Sequence, residues 1–492
     1  MSKRPDNFYT LLGILRAATQ DEIRRAYHQA AKRLHPDTNE APGETELFLD
    51  VQQAYQVLSD PSRRSAYDAS LPPEEKIPPV VDKNILLSRK ELLQLSEPQL
   101  VYALIEVSPV DEHKKTSSSV PLNICLALDC STSMKGEKLN TVKATAVQLI
   151  RKLNPQDIFS VVTFSDRAEV VIPATRQANT LKMENQIQLL QASGGTEIFQ
   201  GLKASLEEVR RYRNSNYINH IVILTDGQTY GDEQVSYELA KKSAESGISI
   251  SGLGIGSGWN DIFLDQLASL TGGHTMLVSQ PNDIEHLLVE KFANLSATFA
   301  ENVTLEYESD EGVELNYIYR LQPETNHIVN ENPLHLGSIQ RTVPLSILVE
   351  FKIQPQALKA ANVNLLHGNL TISAAAVQTP VLPIPIDITL AIKEQITPEL
   401  PPPAIVQALS RLTLYRIQEK ARNEMADGNY SKAADHLQKL ATHLLAQGQT
   451  GLAKTIMLEV KNIEKDQSYS EQGEKRIKYG TRALLLPGEE KS

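Results

Sequence analysis

Two hydrophobic periods divide the chain. Between residue 7 and about residue 70, apolar positions recur every three or four residues, as on one face of a helix. Ile23, Ala26, Tyr27, Ala30 and Ala31 make one such face, and Phe48, Val51, Ala54, Tyr55 and Leu58 a second. Thr19-Gln-Asp-Glu22 is a capping box that opens the first helix. Pro36 stops that helix near Leu34, because the residue before proline avoids helical angles. Two antiparallel helices with a polar turn at His35-Pro36-Asp37 are expected. From Leu122 to about Ala297, short buried runs such as Ile124–Leu128 and Ile221–Thr225 alternate with helical patterns. That alternation predicts a parallel sheet wrapped by helices.

On either side of this region the period is two. Val101, Ala103, Ile105 and Val107 share one face of a strand. Val343, Leu345, Ile347, Val349, Phe351 and Ile353 alternate in the same way, as do Leu382, Ile384, Ile386, Ile388 and Leu390. Pro383 and Pro385 mark the last of these as an edge strand. Strands without intervening helices predict an antiparallel sandwich. The polar segment 109–119 separates the early strand from the wrapped sheet, so that strand pairs beyond it. The fold class expected is therefore multidomain: a helical module, a Rossmann-like doubly wound α/β domain inserted in an antiparallel β-sandwich, and a helical C-terminus. The boundaries expected are 1–70 for the helical module, 71–97 for a proline-rich linker and 98–119 for the joining strand and its loop. The α/β domain takes 120–297, the sandwich 298–396, a helical hairpin region 397–470 and a polar tail 471–492.

Composition changes this picture little. A chain of 492 residues exceeds what one core serves. A net charge of −11 argues against a general nucleic-acid binder. The N-terminus has no apolar signal core and no run is long enough to span a bilayer, so a cytoplasmic protein without a membrane partner is expected. Cys125 and Cys130 fall on opposite sides of one strand end, which speaks against a disulfide. Gly252-Leu-Gly-Ile-Gly256 follows a strand, but its third glycine is misplaced for a dinucleotide loop, so a tight strand-to-helix connection is expected. Trp259 beside it reads as core or as a rim contact.

Ligands of open α/β sheets bind beyond the carboxyl ends of the strands. Asp129, Ser131 and Ser133 occupy the loop leaving the first buried run. Short oxygen side chains on alternate residues can face one centre, and such donors suit a hard cation such as magnesium. Gly194-Gly195-Thr196 precedes a helical pattern, and Asp226-Gly227 ends a second buried run. Loops that merely cap helices are the plain alternative.

Residues from about 120 to 297 resemble a von Willebrand factor A domain. Asp129, Ser131, Ser133, Thr196 and Asp226 match its metal-ion-dependent adhesion site one by one. The resemblance implies Mg2+ or another divalent cation, hydroxyl ligation, and an open coordination position that a partner's Asp or Glu fills. The N-terminal module resembles a J domain in FYTLLGI at 8–14, HPD at 35–37, AYQVLSDP at 54–61 and RRSAYD at 63–68. That resemblance implies a co-chaperone module that stimulates a DnaK-type chaperone, with His35, Pro36 and Asp37 as contacts. The basic residues Arg24, Arg25, Lys32 and Arg33 would steer an acidic chaperone surface. The chain departs from the full DnaJ pattern, since neither a glycine-phenylalanine stretch nor CxxCxGxG repeats follow.

An adaptor is expected rather than an enzyme: the A domain grips an unknown protein client and the J domain brings the chaperone. Two other functions are compatible with the motifs. One is a scaffold for a separate ATP-driven assembly machine, and the other a metal-dependent hydrolase using Asp129 or Asp226. The hydrolase would need more carboxylates around the ion or an activating base, whereas the site offers mainly hydroxyls and no histidine falls in its loops.

Overall fold

The computed structural model describes residues 7–14, 16, 18, 20–34, 44–71, 79–111, 120–176, 179–214, 216–228, 231–374, 381–397, 399–470 and 472–485. The N-terminal unit consists of α1 (Phe8–Leu12), α2 (Gln20–Leu34), α3 (Glu44–Leu58) and α4 (Pro61–Ser70). Ile23 and Ala30 of α2 share a core with Val51, Ala54 and Leu58 of α3, and Tyr27 stacks on Tyr55 at 4.1 Å. Asp60 caps α4 by accepting from the Ser62 and Arg63 amides, and Pro61 takes the first turn, where its missing N–H is harmless. Arg64 of α4 donates to the Arg16 and Ala18 carbonyls, which fixes the loop after α1.

The rest of the chain begins with β1 (Val81–Leu87), β2 (Glu91–Leu93) and β3 (Gln99–Pro109). The α/β domain follows as β4 (Leu122–Asp129), α5 (Glu137–Lys152), β5 (Ile158–Phe164), β6 (Ala168–Arg176), α6 (Thr180–Gln188), α7 (Ile198–Arg211), β7 (Ile218–Thr225), α8 (Glu233–Glu245), β8 (Ser249–Ile255), α9 (Asp261–Ser269), β9 (Thr275–Val278) and α10 (Asp283–Ser296). Its sheet has the order β6-β5-β4-β7-β8-β9 and is parallel except between β5 and β6. β4 is central and buried along its whole length, which explains its unbroken apolar run. Ile124, Leu126 and Leu128 pack toward α5 and α10, while Cys125 and Ala127 pack toward α7 and α9. Both cysteines are buried and free, in the two different clusters.

The chain then runs through β10 (Thr298–Glu308), β11 (Val313–Gln322), β12 (Asn326–His327), β13 (Leu334–Gln340), β14 (Leu345–Ile353), β15 (Asn362–Ser373) and β16 (Ile384–Lys393). They form two five-stranded sheets, β1-β3-β14-β11-β12 and β13-β10-β15-β16-β2. β3 lies antiparallel to β14, with Gln99 opposite Ile353 and Val107 opposite Leu345, so the α/β domain is an insertion between strands of the sandwich. β2 covers β16 only from Ala391 to Lys393, so this neighbour leaves Pro385 uncovered. Four helices close the chain: α11 (Pro403–Ala426), α12 (Tyr430–Ala446), α13 (Thr450–Asp466) and α14 (Gly473–Ala483). Ile405, Leu412 and Tyr415 of α11 cover Leu104, Tyr319 and Leu348, so β14 is buried on both faces instead of alternating.

A polar seam joins the inserted domain to the sandwich. Arg320 of β11 is fully buried and donates to the carbonyls of Gly272 (2.7 Å), Gly273 (2.6 Å), Glu324 (2.7 Å) and Leu336 (3.0 Å). Beside it Glu324 meets His274 at 2.6 Å and Lys291 at 3.2 Å, and Glu301 meets His220 at 3.0 Å. Glu324 and Lys291 form the ion pair of this seam, and a buried ion pair adds little net stability although the loss of one member is costly.

Three expectations need correction. Residues 81–87 and 91–93, assigned to the linker, are strands; β1 pairs with β3 from Val81 opposite Pro109. Its edge position leaves Asp82, Lys83 and Asn84 exposed and hides the alternation. The polar tail contains α14, which buries Lys478 and Arg482 beside a single aliphatic residue, Ile477. Gly252 and Gly254 lie inside β8, and only Gly256, at φ +71°, turns the chain. A Cβ on Gly254 would fall 1.9 Å from the Trp259 ring, so that glycine makes room for a fully buried tryptophan.

Candidate metal centre

β4, β7 and β8 end on the same edge of the sheet, because they run parallel. β4 ends at Asp129, whose Oδ1 accepts the Ser131 amide at 2.7 Å and whose Oδ2 accepts the Thr225 hydroxyl at 2.6 Å. Asp129 is fully buried, and burial pushes its carboxyl above the usual range against the pull of those donors. A short 3-10 turn, Thr132–Met134, brings the chain round so that Ser131 Oγ lies 2.9 Å from Ser133 Oγ. Ser133 Oγ donates to Asp226 Oδ1 at 2.6 Å, one residue past the end of β7. The side chain of Lys138, in the first turn of α5, contacts the other oxygen of Asp226.

Thr196 reaches this edge on the loop before α7. The loop is pinned from three sides. The Gly194 carbonyl accepts the Thr132 hydroxyl at 2.9 Å, the Ser193 amide donates to the Cys130 carbonyl at 2.7 Å, and the Gly195 amide donates to Asp166 Oδ1 at 2.7 Å. Gly194 takes φ +78°, and a Cβ there would collide with the Asp166 carboxylate. Thr196 Oγ1 sits 2.7 Å from where a Cβ on Gly227 would stand, beside Asp226. Asp129, Ser131, Ser133 and Asp226 are thus linked by hydrogen bonds, with Thr196 over the adjoining glycine.

Sequence reasoning missed Thr225, Lys138 and Asp166, which carry no spacing signal, and it did not set the loop after β8 against Asp226. A Cβ on Gly258 would lie 2.9 Å from the Asp226 carbonyl oxygen, so that loop rests on the candidate ligand's own backbone. α14 holds the loop from the other side. Lys475 reaches the Ser257 carbonyl and lies 5.3 Å from the centre of the Trp259 ring, and Tyr479 packs against the same ring at 5.7 Å. Arg482 forks onto Asp265 at 2.9 and 2.7 Å, and Lys478 bridges Asp261 and Asp265. Burial would raise the Asp265 carboxyl, but Arg482 and Lys478 overcome it and hold it well below the usual range.

The donors at the sheet edge are all oxygens, two carboxylates and three hydroxyls. Burial and the neighbouring Asp129 push the Cys130 thiol up to about 12, so it stays protonated and offers no thiolate. This donor chemistry fits a hard divalent cation. Among the described residues no group of three or more His, Cys, Asp or Glu side chains gathers at one point, so the oxygen edge has few carboxylates to share between two ions. On the N-terminal unit Arg24 is exposed on α2, and Arg25, Lys32 and Arg33 belong to the same helix. His35, Pro36 and Asp37 lie outside the described residues.

Three family models match the chain: the DnaJ domain over residues 7–68, the von Willebrand factor type A domain over 123–290, and the Sll0103-like C-terminal alpha-helical domain over 403–487. The chain thus carries a J domain and a von Willebrand factor A domain in one polypeptide. It is 27% identical over 423 residues to the uncharacterized protein sll0103 of Synechocystis sp., covering 83% of this chain and 98% of that one. The DnaJ chaperone protein of Lacticaseibacillus casei is 50% identical over 62 residues, which is 13% of this chain and only 16% of that protein. A von Willebrand factor type A structure from Catenulispora acidiphila superimposes with a TM-score of 0.64 at 14% identity, over 83% of this chain and 98% of that one, which shows the shared fold.

Proposed function

We propose that the chain is a co-chaperone adaptor. Its A domain binds a protein client through a divalent cation, and its J domain recruits a DnaK-type chaperone to that client and stimulates its ATPase. The observation that carries this reading is the union of a J domain with an oxygen-lined sheet edge in one chain. Asp129, Ser131, Ser133, Thr196 and Asp226 would hold Mg2+ or another divalent ion. When bound, the ion supplies an electrophilic centre for a carboxylate of the client. The chain's own residues orient that centre: Thr225 fixes the Asp129 carboxylate, and the Gly194 loop brings Thr196 over Gly227. On the other module His35, Pro36 and Asp37 contact the chaperone, and Arg24, Arg25, Lys32 and Arg33 speed the encounter. The chain performs no chemistry of its own and works in the cytoplasm; among the described residues no helix is long and apolar enough to cross a membrane.

Two experiments test the two halves. His35→Gln should abolish stimulation of a DnaK-type ATPase, and unchanged stimulation sinks the J-domain half. Affinity capture from cytosol should retain clients with wild type in Mg2+ and lose them in EDTA or with Asp129→Ala. Identical captures in all three conditions sink the metal grip.

A further inference from the structure

Lys138 stands where the metal reading leaves no role for it. The ammonium lies on Asp226 Oδ2 while Ser133 Oγ donates to Oδ1, so both oxygens of that carboxylate already have protein donors. Asp226 is buried, whereas the lysine side chain keeps 35% of its surface in solvent, so the stem can swing outward from the first turn of α5. The two ligand carboxylates, Asp129 and Asp226, and the ammonium that touches one of them form a set of three formal charges with a sum of minus one, and Asp166 adds a further carboxylate on the loop before Thr196. A divalent ion added to that set leaves one positive charge; without the lysine it leaves none. The lysine therefore leaves the loaded set one charge more positive than it would otherwise be, and a more positive centre attracts an anion more strongly.

Building on the metal centre proposed above, we infer that Lys138 sets the partner specificity of the site, weakening its hold on the divalent ion and strengthening the grip of the loaded site on a carboxylate. Like charges a few ångströms apart disfavour the ion, and the same residual positive charge favours an acidic side chain at the rim. The partner class is therefore a protein presenting a surface Asp or Glu, with the ammonium as a second point of contact. Thr132 and Ser133 are exposed beside it and leave the approach open.

The test measures two affinities on the full chain. Titration calorimetry gives Mg2+ binding, and retention on immobilised poly-L-glutamate at saturating Mg2+, less the retention in EDTA, gives carboxylate binding. Lys138→Met keeps the stem and removes the charge. Mg2+ affinity should rise and poly-glutamate affinity should fall, each by about tenfold, while Lys138→Arg stays near wild type in both. Opposite movement supports the inference, since a damaged fold weakens both. Two affinities equal to wild type, or two that fall together, overturn it. If neither wild type nor Lys138→Met binds Mg2+, the metal centre itself is wrong and the inference falls with it. If wild type binds and only the variant's expected changes are missing, the metal centre survives without the role for Lys138.

Discussion

Asp265→Asn should loosen the C-terminal helix from the A domain. Asp265 keeps 16% of its side chain in solvent and accepts both arms of Arg482, the Lys478 ammonium at 2.7 Å and the Tyr479 hydroxyl at 3.3 Å. Asparagine keeps the volume and removes the charge. Lys478 retains Asp261, but Arg482 is left buried with no carboxylate. Removing one member of a buried ion pair costs about 3–5 kcal/mol, and the amide oxygen that remains puts this case near about 3 kcal/mol. With urea slopes of about 1–3 kcal/mol/M, the midpoint for this region should fall by about 1–3 M. Trp259 is the only tryptophan in the chain and touches α14 through Lys475 and Tyr479, so its emission reports the docking directly. Urea unfolding followed by Trp259 emission should show an earlier transition and a red shift. The combination Asp265→Leu, Lys478→Met and Arg482→Leu should recover much of the loss, because an apolar replacement of the whole set removes the unpaired charge. An Asp265→Asn protein with the wild-type midpoint would refute the reasoning.

Gly254→Ala should cost at least about 1–3 kcal/mol, because its Cβ overlaps the Trp259 ring and the ring must move; thermal melting and the same emission would read it. At the seam, burial raises the Glu301 carboxyl to about 8, so the folded protein holds that proton more tightly than the unfolded chain. Its contribution is full below the ordinary carboxyl pKa and is lost as pH rises toward about 8, so Glu301→Gln should flatten the fall in melting temperature over that range. His274 acts in the opposite direction. Burial lowers it to about 4, so its contribution is lost as pH falls from about 6.5 toward 4, and His274→Gln should reduce acid sensitivity.

The elements of the α/β domain and of the J module were legible because their apolar residues follow one period over long stretches. Ile124–Leu128 announced a strand covered on both faces, and β4 is one. That β3 pairs beyond the A domain was legible because the polar segment 109–119 separates its alternating pattern from the α/β domain, and β14 is the partner found there. β1 was not legible, since an edge strand carrying Asp82, Lys83 and Asn84 has no apolar face to alternate. α14 was missed for a different reason. Its docking uses Lys475 against the Ser257 carbonyl and Lys478 and Arg482 against acids, all more than two hundred residues away, and pattern reading counts such side chains as solvent-facing. In the site, Asp129, Ser131, Ser133, Thr196 and Asp226 could be named from loops that end strands or open helices. Lys138, Thr225 and Asp166 could not, because their roles depend on which side chain meets which across the sheet edge.

The insertion also orders events in time. Gln99 waits for Ile353, its partner in β14, while the whole A domain is synthesised between them. At about 5–20 residues per second, that interval lasts on the order of ten to fifty seconds. The A domain can complete its parallel sheet in this window, whereas the sandwich cannot close until β14 leaves the ribosome. Until then the flank of β3 that β14 will cover presents unpaired amides and carbonyls. A nascent chain paused before residue 345 should therefore yield a protease-resistant A domain with β1 and β3 still open to cleavage.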